Sequence, residues 1–203
     1  MNELGLFPLG LVLLPTELVP LHIFEERYKD LIGECLDDDS EFGLVYADDA
    51  GIREIGTRAR VAEVLTRFED GRMNILVEGG ERFRLLELTS GKSFQTGDIT
   101  PIEDVDDSAD ASTVEQARAL FDRLRELTSS EIEVPDADIP QLSYVLAARV
   151  ELAAEAKLEL LAETSEKARL ERVCELLEEA AVAVERQRRA AERAAANGKV
   201  ELG

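Results

Sequence analysis

The chain has 203 residues, which is enough for one substantial hydrophobic core or two small ones. Its 44 acidic and 23 basic side chains leave a formal net charge of -21, which repels phosphate backbones and argues against generic nucleic-acid binding. Such acidity is typical of a highly soluble protein or of a salt-adapted cytoplasm. The two cysteines, Cys35 and Cys174, have neither metal-ligand nor redox spacing, which fits a reducing cytosol, so we expect a cytoplasmic protein.

The first predicted elements lie in a mostly apolar stretch from Leu4 to Tyr28. No Lys or Arg precedes this stretch, whereas an export signal begins with positive charge. The uncharged run that ends at Thr16 is shorter than a membrane-spanning helix, and Pro8 and Pro15 interrupt it. Short apolar pieces bounded by Gly or Pro are typical of buried strands. We therefore expect a folded start rather than a targeting signal, and no membrane partner.

An amphipathic helix and several strands are predicted next. Apolar residues at i, i+3, i+4, i+7 and i+8 predict a helix whose buried face consists of Tyr28, Leu31, Ile32, Cys35 and Leu36. The segment EFGLVYA then indicates a strand, Asp70–Gly71 a β-hairpin, and Gly79–Gly80 a turn of the chain. Roughly six short strands and one helix result. This pattern predicts a β-rich unit, residues 1–103, of the α+β class, built around an antiparallel sheet or open barrel.

The composition changes after Glu103. Residues 104–110 are acidic and small, which predicts a solvated linker. Residues 111–203 have helical periodicity throughout, and the first apolar face consists of Val114, Ala117, Leu120, Phe121, Leu124 and Leu127. Residues 139–161 predict one or two further helices. Thr164 or Ser165 can then cap a long last helix, whose buried face consists of Leu170, Val173, Leu177 and Val184. We expect these helices to form a bundle.

No residue pattern indicates catalysis or ligand chemistry. The single histidine, His22, lies in an apolar, strand-like segment, which favours a packed structural residue over a metal ligand or a partner for Cys35. Cys35 falls on the buried stripe of its helix, so we expect an inert thiol. Residues 91–93, GKS, are similar to the end of a phosphate loop, but Leu86 stands where that loop needs a second glycine. We therefore expect no catalytic residue, no metal and no cofactor.

Three segments together resemble a known family. They are FPLGLVLLPTELVPLHIFEERYKDLI, EIGTRARVAEVLTRFEDGRMNILVEGGERFRL and LLAETSEKARLERVCELLEE, in this order. This series is similar to the N-terminal domain of the Lon protease, which also occurs alone as a stand-alone substrate-binding-domain protein. The most specific part is the hairpin that ends in ILVEG and is followed by Arg82, Phe83 and Arg84. The resemblance implies a PUA-like β-pseudobarrel followed by a C-terminal α-helical bundle with a long last helix.

The resemblance also implies a function. Full Lon proteases continue into an ATPase module and a Ser–Lys peptidase domain, and this sequence contains no segment for either. We therefore expect a non-catalytic polypeptide-binding module rather than an enzyme, with an exposed apolar surface that accepts unfolded segments, for example by strand addition at an open sheet edge. Candidate polypeptide-binding residues are Leu13, Leu14, Val19, Phe68, Phe83, Arg82 and Arg84. For the apolar residues, core packing is the commoner role of such side chains, and for the arginines internal ion pairs would explain the pattern equally well.

Two other functions stay open at this point. The chain could be an adaptor or regulatory protein that docks on a separate protease or chaperone through its C-terminal helix. RNA binding is a third function, because PUA-like folds often contact RNA, but the net charge of -21 disfavours it. No residue pattern indicates the natural client or the oligomeric state.

Overall fold

The computed structural model describes residues 3–197, with side chains through residue 193, as six strands and five helices. The strands are β1 (Glu3–Leu9), β2 (Leu18–Ile23), β3 (Phe42–Asp48), β4 (Gly51–Arg67), β5 (Met73–Thr89) and β6 (Thr96–Pro101). The helices are α1 (Glu26–Asp38), α2 (Ala111–Thr128), α3 (Leu142–Ala147), α4 (Ala154–Ala162) and α5 (Glu166–Asn197). The predicted α+β class and the long last helix are confirmed.

The chain divides into two compact units. A β-rich unit contains Met1–Val105 and Ala147–Thr164, and a helical unit contains Asp106–Leu146 and Ser165–Gly203. Among the helices of the described residues, none is long and apolar enough to cross a membrane.

The strands of the β-rich unit form one sheet in the order β2-β5-β4-β3-β1-β6, and β6 also pairs with β5. Strands β5, β4, β3, β1 and β6 therefore close into a barrel, while β2 is added to β5 as an edge strand. The neighbours are antiparallel except for β1 and β3, which run parallel. The segment between them contains β2 and α1, which supply the long crossover that a parallel pair needs. The expected barrel is thus confirmed, with one parallel pair that periodicity alone did not indicate.

The long hairpin of β4 and β5 extends beyond the barrel. Its turn contains Asp70–Gly71 as predicted, with Gly71 at a φ of 82° and the Phe68 N–H donating to the Arg72 carbonyl at 2.9 Å. The first half of β5 pairs with β2 on one side and β4 on the other, which makes a three-stranded extension. Three register shifts in the β4–β5 ladder are consistent with β-bulges and explain why the β4 sequence does not alternate cleanly.

The glycine pair Gly79–Gly80 does not turn the chain, because β5 runs straight through both residues. The Gly79 N–H donates to the Glu17 carbonyl at 2.9 Å, and the Gly79 carbonyl accepts from the Thr16 N–H at 2.8 Å. A Cβ at Gly79 would lie 2.0 Å from the Leu14 carbonyl oxygen. Glycine is therefore required here for a close approach of two backbones, and the predicted turn is wrong.

Helix α1 packs against the inner face of the three-stranded extension. Its predicted buried face is confirmed, with Leu36 half-buried and the other four residues buried. The same core cluster contains the inward-facing residues of β2 and β5. A second cluster comes from four barrel strands and consists of Leu4, Leu6, Val45, Phe83 and Ile99.

Helix α4 packs in the β-rich unit, although its sequence was assigned to the helical half, residues 111–203. Arg82 explains this placement, because its side chain is only 3% exposed and reaches the C-terminal end of α4. The guanidinium donates to the carbonyls of Leu161 and Glu163 at 2.7 Å each and forms an ion pair with Asp104. These are charge-assisted hydrogen bonds to carbonyls that a helix end otherwise leaves without partners.

The helical unit is built on α2, α3 and α5, and both longer helices have side-chain caps. Asp110 accepts the Thr113 N–H at 2.9 Å at the start of α2. Ser165, one of the two predicted caps, accepts the Ala168 N–H at 3.0 Å at the start of α5. On α2, the predicted apolar face is buried at Ala117, Phe121 and Leu124.

A buried arginine joins α3 to α5 within the helical unit. Arg169 has no exposed surface, lies 4.1 Å from the centre of the Tyr144 ring, and donates to the Ser143 hydroxyl at 2.8 Å. Glu166 neutralises it at 2.6 Å and also accepts the Ser143 hydroxyl at 2.6 Å. The charge is therefore both paired and hydrogen-bonded, as a buried charge must be.

Candidate functional site

An apolar stripe runs along the outer face of the edge strand β2. Successive side chains of a strand point to opposite faces, and every second residue of β2 is exposed while the inward-facing ones enter the larger core. The Phe24 side chain continues the exposed series just beyond the strand. Leu18 is 55% exposed and Phe24 is 60% exposed, and the informative feature is that such side chains are grouped on one face. We name this set the β2 stripe; it consists of Leu18, Pro20, His22 and Phe24.

His22 orients the aromatic end of the β2 stripe. Its Nδ1 donates to Asn74 Oδ1 on the neighbouring strand at 2.6 Å. The imidazole is stacked with Phe24, at 5.8 Å between ring centres, and meets Phe68 edge-on at 6.2 Å. Strand alternation places His22 on the exposed face of β2 rather than in the core, and its ring packs against two other exposed rings. Three rings thus form an aromatic group that is accessible to a partner.

Phe68 lies in the hairpin turn, beside a pair of charged residues. The Arg72 guanidinium lies over its ring, 5.2 Å from the ring centre, and the Arg72 Nε donates to Asp70 at 2.7 Å. The pKa of Asp70 is lowered, chiefly because the carboxylate accepts the Arg72 backbone N–H, and further by the Arg72 side chain. Asp70 therefore stays ionised and holds the cation against the exposed ring.

Of the seven candidate polypeptide-binding residues, Phe68 belongs to this surface. Leu13, Leu14 and Phe83 are each at most 1% exposed, and their side chains pack inside the protein. Val19 is half-buried and packs against the larger core on the inner face of β2. These four side chains therefore contribute to the stability of the surface rather than to its exposed area.

The two candidate arginines have different environments. Arg82 is buried and holds α4, as described above. Arg84 is exposed and forms a surface ion pair with Glu54 at 3.2 Å. Of the two, Arg84 is the one that a partner's carboxylate can reach.

The sequence contained a signal for the residues that were missed. In the segment LVPLHI, the polar His22 falls on the same side as Leu18 and Pro20, opposite the buried residues. Proline within a strand also indicates an edge strand, because it cannot donate to a second neighbour. Together, these features indicate an edge strand with one face open to solvent.

The part of the chain that the structure describes shows no catalytic constellation. A cavity of about 320 Å³ is lined by residues that include Cys35, Glu34 and Lys92. Burial raises the pKa of the Cys35 thiol, which makes it a poor nucleophile, and Lys92 is paired with Glu34. Among the described residues, no group of three or more His, Cys, Asp or Glu could hold a metal ion.

Comparison with known sequences finds similarity to Lon proteases and to their substrate-binding domain. The model of the ATP-dependent protease La (LON) substrate-binding domain matches residues 3–179. Lon protease 1 of Hydrogenovibrio crunogenus is 26% identical over 184 residues, and Lon protease of Anaeromyxobacter dehalogenans is 29% identical over 183 residues. Each match covers 82% of this chain but only 22% of the relative, so the chain spans about a fifth of the length of these curated relatives.

Solved structures have the same architecture. The crystal structure of a Lon N-terminal domain protein from Xanthomonas campestris is 28% identical, with a TM-score of 0.68 over 85% of this chain and 97% of that one. The N-terminal domain of Mycobacterium avium complex Lon protease has a TM-score of 0.65 over 87% of this chain and 98% of that one. The latter is 14% identical, so this likeness concerns the fold alone.

Proposed function

Because this chain belongs to the ATP-dependent protease La (LON) substrate-binding domain family, we propose that it is a non-catalytic module that binds unfolded or extended polypeptide segments. The observation that carries this proposal is the β2 stripe with the adjacent Phe68. It places aliphatic and aromatic side chains side by side on one solvent-facing surface. Exposed apolar groups arranged contiguously are typical of protein-binding surfaces.

The chemistry of the stripe fits a polypeptide client. Phe24, His22 and Phe68 offer ring faces and edges to apolar side chains, and Leu18 and Pro20 extend this surface along the strand. Aromatic rings supply a large contact area at a low cost in side-chain entropy. The surface is small compared with a stable protein–protein interface, so binding should be weak and reversible, as a module that samples many clients requires.

The net charge of the chain should limit which polypeptides it binds. The net charge of -21 attracts segments rich in Lys and Arg and repels acidic ones and nucleic acid. We therefore propose clients in which apolar residues are flanked by basic ones. Their association rate should fall as salt is added, because long-range steering is screened.

Binding without catalysis is the second part of the proposal. Among the described residues, the Cys35 thiol is buried and its pKa is raised, which makes it a poor nucleophile. The same residues contain no cluster that could hold a catalytic metal ion. The family match is to a substrate-binding domain. We propose that any processing of a bound client is performed by another polypeptide or module.

The test is a binding titration with a reduced and alkylated, permanently unfolded basic model protein that carries a fluorescent label. Phe24→Ser together with Phe68→Ser should weaken binding by about tenfold or more, which corresponds to about 1.4 kcal/mol of lost apolar contact. The matched control is Leu86→Ser with Leu88→Ser, which removes two other exposed apolar residues, on the far half of β5. Far-UV circular dichroism confirms that each variant is folded.

The binding titration has three distinguishable outcomes. Selective loss of binding in the Phe24 and Phe68 variant supports the β2 stripe as the site. Equal losses in the two double variants would show nonspecific adhesion and overturn the assignment of the site. Failure of the unsubstituted protein to bind the unfolded probe at low salt would overturn the proposed function itself.

A further inference from the structure

Helix α5 has an exposed face that is separate from the β2 stripe. The helix buries one face in its own unit through Leu170, Val173, Cys174, Leu177 and Ala181. On the opposite side, a second series follows the alternating four- and three-residue steps of a coiled-coil seam. We name it the α5 seam; it consists of Glu175, Glu179, Val182, Arg186, Arg189 and Arg193.

The α5 seam is open to solvent. Val182 is half-buried and the other five residues are exposed. Residues of the seam and its flank line a groove of about 530 Å³, and each described residue lining it comes from α5 itself. No neighbouring element of the described chain therefore fills this groove.

The charges of the seam divide at Val182. Its N-terminal part is acidic, with Glu175 and Glu179, and its C-terminal part is basic, with Arg186, Arg189 and Arg193. Within residues 3–193, Glu179, Arg186 and Arg193 form no ion pair. The seam is thus complementary to a copy of itself that runs in the opposite direction, and a parallel copy would place like charges together.

We propose that two copies of this chain associate through antiparallel α5 seams. In an antiparallel coiled coil, each layer contains one residue from each helix. The seam spacing then places Glu175 opposite Arg193 of the second copy, and Glu179 opposite its Arg189. Val182 lies against the aliphatic stem of the second copy's Arg186. The two-fold axis repeats each contact, so the interface contains four interhelical ion pairs, two on each side of a centre that consists of Val182 and the aliphatic stems of Arg186.

Of the two seam glutamates, Glu175 already pairs with Arg172 on its own helix at 2.9 Å, and this exposed pair would compete with the contact to the second copy. Arg189 reaches Glu185 only at 3.4 Å, and Glu185 is held more closely by Arg123 at 2.6 Å. Arg189 is therefore available to a second acidic partner. Glu178, Glu185 and Glu192 flank the seam, and the antiparallel register places Glu178 beside Glu192 of the second copy and Glu185 beside its own copy. The pair with Arg123 reduces the repulsion at Glu185, and the other like-charge contacts weaken the interface.

The interface should be weak and sensitive to salt. A seam of 19 residues spans about 27 Å and buries an area at the low end for specific protein interfaces. Two chains of net charge -21 repel one another at low salt, and exposed ion pairs are screened at high salt, so association is expected to be strongest near about 0.15 M salt and to be lost in molar sodium chloride. This inference is independent of the proposed function, because it concerns a different surface of the molecule.

A charge-swap experiment tests the proposal. One variant carries Glu175→Arg and Glu179→Arg, and the other carries Arg189→Glu and Arg193→Glu. Each variant alone faces four like-charge contacts in its homodimer, whereas an equimolar mixture restores opposite charges at all four contacts. Sedimentation equilibrium in about 0.15 M salt should show self-association of the unsubstituted protein above its monomer mass of 22.4 kDa. Each variant alone should associate at least about tenfold more weakly, and the mixture should regain association.

Disulfide cross-linking tests the antiparallel register of the two α5 helices. Ala183→Cys lies near the two-fold axis and should form a disulfide between copies under mild oxidation. Ala190→Cys should not, because the antiparallel register separates its two copies by about 18 Å along the axis. Efficient cross-linking of both cysteines would indicate a parallel pair and overturn the proposed arrangement.

The control for the Arg189 and Arg193 variant is Arg67→Glu with Arg188→Glu, which makes the same charge change outside the seam. This variant should associate like the unsubstituted protein. Circular dichroism establishes that all variants fold, as expected for exposed positions. A protein that is monomeric at all concentrations in about 0.15 M salt, or a mixture that associates no better than its components, would overturn the proposal.

Discussion

Arg82→Met should destabilise the β-rich unit far more than the loss of a surface arginine would. The substitution keeps an unbranched apolar stem but removes the guanidinium. The carbonyls of Leu161 and Glu163 and the carboxylate of Asp104 then lose this cation in a site where Arg82 is only 3% exposed. Removing one member of a buried, hydrogen-bonded ion pair costs about 3–5 kcal/mol. For a unit of this size, the melting temperature should fall by roughly 10–20 °C.

The measurement combines thermal unfolding by circular dichroism with hydrogen exchange of α4. Exchange is needed because a chain of two units need not unfold in one step. Amides of α4 should lose protection in Arg82→Met before the barrel strands do, since the lost contacts lie at the end of α4. Arg84→Met is the matched control on the same strand, because its pair with Glu54 is exposed and should contribute less than about 1 kcal/mol. Similar losses in the two variants, or unchanged protection of α4, would refute the assigned role of Arg82.

Three further substitutions probe other contacts. Gly79→Ala should destabilise the β-rich unit by about 3 kcal/mol or more in urea unfolding, because its Cβ would meet a carbonyl oxygen at 2.0 Å. Gly80→Ala, whose nearest contact is 3.5 Å, should have little effect. Lys157→Met should cost about 3 kcal/mol by leaving the buried carboxylate of Glu17 without its cation, and adding Glu17→Gln should restore part of this loss. Asp110→Ala tests the N-cap of α2 by acid titration. Hydrogen bonds from the Ser112 side chain and then from Thr113 lower the pKa of the Asp110 carboxyl from 3.8 to about 2. Because the folded-state pKa is the lower one, the cap's stabilisation is complete above about pH 4 and is lost towards pH 2. The difference in melting temperature between Asp110→Ala and the unsubstituted protein should therefore close over this range.

The elements that the sequence predicted well are those whose pattern is local. The α1 face and the Ser165 cap depend on residues within two turns of helix, and the Asp70–Gly71 hairpin depends on four residues. Each of these patterns lies within a short stretch of sequence, so it predicts the element without any knowledge of its tertiary contacts.

The features that the sequence did not predict depend on distant partners. Gly79 is a glycine because the backbone at Leu14 lies against it, and no residue near Gly79 indicates this contact. Residues 147–164 have helical periodicity, but Arg82 and Lys157 place them with the strands. The same limit applies to the candidate site. Leu13 and Phe83 have the composition of a binding surface, and only the closed sheet shows that they are enclosed.

The remaining question about the β2 stripe is how an apolar edge strand avoids pairing with further strands. Pro20 lies in the middle of β2, and its missing N–H interrupts the row of donors that an added strand would need. On the other side of the three-stranded extension, residues 60–67 of β4 pair only with β5 among the described residues, and two bulges distort that edge. Both free edges are therefore poor templates for strand addition, whereas the outward side chains of β2 are accessible. The stripe is therefore suited to contact clients through side chains rather than through backbone hydrogen bonds. The poor edges prevent strand pairing between copies of the chain, although the apolar surface is exposed to solvent.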